Sequence, residues 1–85
     1  MIDYTNNVVL VTGAASGIGA ALAQAFATRG AQVICVDINA EGLQQTVSAT
    51  GNAAKTIICD LADPAAAEQL IEDVFTERGR LDLVC

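Results

Sequence analysis

Apolar and polar positions along this chain fall into two alternating kinds of block. Short runs rich in β-branched residues end at a glycine or an aspartate, and each is followed by a longer stretch with helical spacing. Val8-Val9-Leu10-Val11-Thr12 is the first run and stops at Gly13, as a strand buried on both faces does. From Gly17 to Arg29 the period becomes helical, with Ile18, Leu22, Ala25, Phe26 and Arg29 on the side expected to pack and Gly30 closing the helix. Val33-Ile34-Cys35-Val36 is the second strand and ends at Asp37. Residues 40–50 read as a second helix through Leu43 and Val47, closed by Gly51, and Thr56-Ile57-Ile58-Cys59 as a third strand ending at Asp60. In the third helix Asp63 serves as cap and Pro64 takes the first position. Ala67, Leu70, Ile71, Val74 and Phe75 follow at i, i+3, i+4, i+7 and i+8, and Gly79 ends the helix. Leu81-Asp82-Leu83-Val84-Cys85 begins a fourth strand.

Strands joined by helices of this length must pair in parallel, with right-handed crossovers. The fold class is therefore α/β: a three-layer, doubly wound parallel sheet with strand order 3-2-1-4, of which this chain forms the N-terminal half. Right-handed crossovers place the first two helices on one face and the third on the other. The lone-helix face is then partly bare and the fourth strand has an open edge, so the isolated chain is expected to be marginal and to dimerise or aggregate.

Composition narrows the function classes. The 85 residues carry a formal charge of −6, with four basic side chains (Arg29, Lys55, Arg78, Arg80) against ten acids, so no basic stripe exists for nucleic acid or an anionic membrane. A 53% hydrophobic content with 16% charged residues suits a chain that buries most of itself within a larger core. Residues 4–28 are uncharged, but Gly13, Gly17 and Gly19 crowd one short stretch and no basic flank orients it, which argues against a membrane span. The opening Met-Ile-Asp-Tyr has an acid where a secretory signal needs a positive segment. Cys35, Cys59 and Cys85 lack metal-ligand spacing and the chain has no histidine; they read as reduced core thiols, implying a cytoplasmic protein without a metal site.

The chemistry concentrates in Thr12-Gly13-Ala14-Ala15-Ser16-Gly17-Ile18-Gly19, between the first strand and first helix. Amides at a helix start lack intrahelical partners and sit at the positive end of the helix dipole, so they can receive a diphosphate. Glycines there permit a tight turn, a close approach of backbone to phosphate, and close packing of helix on sheet. The spacing is G-x-x-x-G-x-G, and Asp37 ends the next strand 18 residues after Gly19, near the ~20-residue offset of a carboxylate that binds ribose hydroxyls. A 2′-phosphate against that carboxylate would meet a repulsion of roughly 4 kcal/mol per charge pair at 4 Å, which favours NAD over NADP.

These residues resemble the T-G-x-x-x-G-[IL]-G cofactor loop of the short-chain dehydrogenase/reductase family, whose fold is of the Rossmann type. Asp60-Leu61 is similar to the family's Asp-[Val/Leu] pair beside the adenine ring, and residues 81–85 to the strand that leads into its Asn-Asn-Ala-Gly motif. The resemblance implies Gly13, Ser16, Gly17, Ile18, Gly19, Asp37, Asp60 and Leu61 as the cofactor-binding residues. It implies hydride transfer between NAD(H) and an alcohol or carbonyl substrate, in a parent enzyme that is a homo-oligomer. Relatives that prefer NADP place a basic residue just before the second loop glycine or just after the second strand; this chain has Ser16 and Ile38-Asn39. The family's serine and Tyr-x-x-x-Lys pair have no counterpart here, and the single tyrosine, Tyr4, precedes the first strand. No catalytic residue is therefore expected within the chain, which reads as truncated before the catalytic half and inactive alone. Two alternatives remain at this point: a non-catalytic dinucleotide-binding module, and an S-adenosylmethionine-dependent methyltransferase fragment.

Overall fold

In the computed structural model, which describes residues 5–51 and 54–85, strands β1 (Val8–Thr12), β2 (Gln32–Asp37), β3 (Lys55–Ile58) and β4 (Leu83–Val84) form one parallel sheet in the order β3-β2-β1-β4. Helices α1 (Gly17–Thr28), α2 (Ala40–Ala49) and α3 (Pro64–Arg78) make the crossovers. β1 and β2 pair from Val8 with Gln32 to Thr12 with Val36, so both strands end at the same edge of the sheet. That edge carries the glycine loop and Asp37, which is where ligands bind in open α/β sheets.

Alternation along the two central strands divides the core. Val9, Val11, Val33 and Cys35 point to one face and pack with Ala23 of α1 and with Leu43 and Val47 of α2. Val8, Leu10, Ile34 and Val36 point to the other, against Leu70 and Val74 of α3. The two-helix and one-helix faces thus follow the handedness rule. Helix ends follow local chemistry: Asp63 accepts the Ala65 N–H at 3.1 Å, and Gly79 takes φ +74 where α3 stops. Arg80 and Asp82 form a bidentate pair ahead of β4, and Asp82 also accepts the Val8 N–H at 2.7 Å. Arg80, and then the Val8 amide, hold the Asp82 carboxyl below the ordinary carboxylate range.

Three expectations need correction. The packing side of α1 consists of Gly19 and Ala23, with Phe26 and Ala27 half-buried; Ile18 is 80% exposed and Leu22 37%. Small residues win because they let the helix lie close on the sheet. In α3 only Leu70 and Val74 of the apolar stripe are buried, while Ile71 and Phe75 are exposed. Of the thiols, Cys35 is a core group, and burial pushes its pKa up; Cys59 and Cys85 are half-buried. Tyr4 lies outside the described residues.

Candidate functional site

The loop from Gly13 to Ser16 folds back on itself before α1 begins. Gly13 has φ +64, a left-handed value suited to glycine, and its carbonyl accepts both the Ser16 N–H at 3.0 Å and the Ser16 hydroxyl at 2.6 Å. Ser16 caps α1, with its Oγ receiving a long bond from the Gly19 N–H at 3.4 Å. The Ala20 N–H then makes the first helical bond, to Ser16 O. Among the described residues no acceptor faces the N–H groups of Gly17 and Ile18. No acid lies in the first turn of α1, whereas α2 carries Glu41 there and α3 is capped by Asp63. The positive end of α1 therefore lacks compensating charge from its own first turn.

The last two glycines have different jobs. A Cβ on Gly19 would lie 2.1 Å from the Gly13 carbonyl oxygen, so this glycine is required by the fold itself. A Cβ on Gly17 would meet nothing within 4 Å. No protein contact requires glycine there.

Asp37 closes the other side. Its carboxylate accepts the Asn39 N–H at 3.0 Å on Oδ1 and the Ala15 N–H at 3.1 Å on Oδ2. The Asn39 amide is the main cause holding this carboxyl below its ordinary range; partial desolvation opposes it, and the Ala15 and Ile38 amides add to the lowering. Asp37 is thus charged at neutral pH and retains acceptor capacity on both oxygens. A cavity of about 180 Å³ is lined by Gly13, Asp37, Ile38, Cys59, Asp60 and Leu61. Ser16 and Gly17 line a second hollow of about 220 Å³ between the starts of α1 and α2. Ile18 and Gly19 line neither of these two.

Ile38 and Cys59 complete the first cavity; sequence reasoning weighs Ile38 only as the place of an absent basic residue and gives Cys59 no role in the site. Ile38 leaves β2 with 65% of its surface exposed beside a carboxylate, and an apolar residue directly after the acid was the available signal. Asp60 holds its own turn, with Oδ1 accepting the Ala62 N–H at 3.0 Å, and so presents Leu61 to the cavity. Among the described residues no cluster of metal-ligating side chains forms, and no helix is long and apolar enough to cross a membrane.

A doubly wound sheet with a glycine loop at its carboxyl edge defines the class as a Rossmann-type domain. The family model of the short chain dehydrogenases matches residues 7–85, and the chain belongs to that family. It is 46% identical over 80 residues to D-threitol dehydrogenase of Mycolicibacterium smegmatis, covering 91% of this chain and 31% of that protein. It is 42% identical over 79 residues to galactitol 2-dehydrogenase of Agrobacterium fabrum, covering 93% of this chain and 31% of that one. Among solved structures, a short-chain dehydrogenase/reductase from Burkholderia xenovorans superposes with a TM-score of 0.89 at 34% identity, over 95% of this chain and 35% of the other. A metagenomic short-chain oxidoreductase in complex with NADP superposes at 0.88 and 31% identity, over 94% and 38%. The chain spans about a third of the length of the relatives it matches.

Proposed function

We propose that residues 1–85 are the NAD(H)-binding half-domain of a short-chain dehydrogenase/reductase that transfers hydride between nicotinamide and an alcohol or carbonyl carbon. The observation that carries this reading is the pair of open amides, Gly17 and Ile18, at an α1 start without its own acid, on a glycine loop whose first glycine, Gly13, lines a cavity together with Asp37. The donor set fits a dinucleotide. Gly17 and Ile18 N–H groups suit the diphosphate, the Asp37 carboxylate suits the adenosine ribose hydroxyls, and Ile38, Asp60 and Leu61 suit the adenine. When bound, the cofactor supplies or accepts the hydride; this chain's residues bind and orient it and keep its adenosine end out of water.

The polyol dehydrogenases among the relatives support an alcohol or its carbonyl counterpart as the substrate class of the whole enzyme. A cytoplasmic, homo-oligomeric parent belongs to the same reading, as does the absence of turnover from this half alone. Family membership leaves the methyltransferase alternative without support.

The choice of NAD over NADP rests on the charged Asp37. A solved relative holds NADP, so the choice depends on local charge rather than on the fold. Titration calorimetry of the chain with NADH, NADPH and S-adenosylmethionine tests the proposal. NADH is expected to bind at least about tenfold more tightly than NADPH, since one tenfold step is 1.4 kcal/mol and the charge opposition exceeds it. Equal affinities would overturn the NAD assignment, and absent NADH binding the whole reading.

A further inference from the structure

The peptide group between Ala14 and Ala15 is held at both ends by different parts of the fold. Its N–H donates to Oδ2 of Asp37 at 3.1 Å, and its carbonyl accepts the hydroxyl of Thr46, from α2, at 2.7 Å. Thr46 is a buried polar residue, 4% exposed. Its Oγ1 also lies 3.2 Å from the Gly42 carbonyl, the usual back-bond of a helical threonine. One hydroxyl proton cannot serve both acceptors well, and the shorter contact is to the loop. Ala14 is fully buried, and no other described group donates to its carbonyl.

Gly42 brings α2 close enough for this. A Cβ there would sit 2.6 Å from the Ala15 Cβ, so the helix crosses the loop at a separation that glycine permits. Asn39 then links α2 to the strand end: its Oδ1 accepts the Gly42 N–H at 3.0 Å, and its own N–H donates to Asp37 Oδ1. Asp37, Asn39, Gly42 and Ala15 thus close a ring of contacts. The carboxylate and the glycine loop form one unit, with Thr46 as its brace.

We propose that Thr46 is a positioning residue of the diphosphate loop. By fixing the Ala14 carbonyl from α2, it sets the plane of the peptide that leads into Ser16, and with it the direction of the open Gly17 and Ile18 amides. This inference rests on the dinucleotide reading above for its consequence, although not for its geometry.

The test compares Thr46→Val, which keeps the shape and removes the hydroxyl, with Thr46→Ser, which restores it, in the ¹⁵N-labelled chain. Three quantities are measured: the melting midpoint, the NADH dissociation constant, and amide exchange at Ala15 relative to the core amide of Leu10. Thr46→Val is expected to weaken NADH binding about tenfold and to speed Ala15 exchange about tenfold relative to Leu10, the range for one buried carbonyl left without its donor. Thr46→Ser is expected to recover both. Unchanged NADH affinity, or Ala15 exchange that merely tracks Leu10, would overturn the proposal. If the wild-type chain binds no NADH, the dinucleotide reading fails, and the Ala15 exchange ratio alone decides the brace. Should Thr46→Val not fold, Thr46→Ala is measured in the same way: weaker NADH binding with Ala15 exchange faster relative to Leu10 supports the brace, and no change in either overturns it.

Discussion

The starts of α1 and α3 meet the same backbone requirement with opposite chemistry. At α3, Pro64 has no N–H to satisfy, and the Asp63 carboxylate takes the Ala65 amide while placing a negative charge at the positive end of the helix. At α1, the neutral Ser16 hydroxyl gives its proton to the Gly13 carbonyl, Gly17 and Ile18 keep their donors, and the first turn holds no acid. Both arrangements start a helix adequately. What distinguishes them is where the compensating charge comes from: the chain itself at α3, and on the proposed reading a bound diphosphate at α1.

Giving α1 the chemistry of α3 breaks the comparison most sharply. Ser16→Asp keeps an acceptor for the cap and adds a favourable charge, but it loses the hydroxyl that donates to the Gly13 carbonyl, so thermal unfolding should show little net change in stability, within about 1 kcal/mol. The same carboxylate opposes a diphosphate, and NADH affinity measured by calorimetry should fall about a hundredfold or more. Next come the two glycines. Gly19→Ala drives a methyl into the Gly13 carbonyl and should cost about 2 kcal/mol in denaturant unfolding. Gly17→Ala, with open space around it, should leave stability within about 0.5 kcal/mol while weakening NADH binding. At α3, Asp63→Ala should lower stability by about 1 kcal/mol and leave the NADH dissociation constant unchanged. Asp37→Ala should narrow the NADH preference over NADPH about tenfold, read by paired titrations.

The smallest effect is on acid stability. Asp37 and Asp82 both have carboxyls held below their ordinary value, by the Asn39 amide foremost in one case and by Arg80 in the other. A group lowered on folding contributes stability that is present above its unfolded pKa, near 3.9, and is lost as pH falls through the folded value. Unfolding midpoints should therefore be flat in these two groups above about pH 5 and fall below about pH 4. Asp82→Asn should make that fall shallower.

Much of this was legible in the sequence because strand ends carry strong punctuation. Gly13, Asp37 and Asp60 mark where β1, β2 and β3 stop, and the lengths of the crossovers force parallel order. Gly13, Asp37, Asp60 and Leu61 fall on one cavity for that reason: the ends of adjacent parallel strands share an edge. The packing side of α1 was less legible, since periodicity weighs side-chain size, and this helix packs through Gly19 and Ala23 while Ile18 faces out. Thr46 gave no signal at all. A threonine between apolar Leu43 and Val47 reads as ordinary helix, and its role depends on an Ala14 carbonyl 32 residues away. The sequence offers three jobs for the loop glycines without saying which glycine does which; the structure shows that a Cβ would strike the Gly13 carbonyl at Gly19 and nothing at Gly17.

The most direct test of the central claim is a crystal structure of the chain grown with saturating NADH. Diphosphate oxygens should lie about 3 Å from the Gly17 and Ile18 nitrogens, with the adenosine ribose hydroxyls on the Asp37 carboxylate. A nucleotide seated elsewhere, with those two amides facing only solvent, would contradict the account.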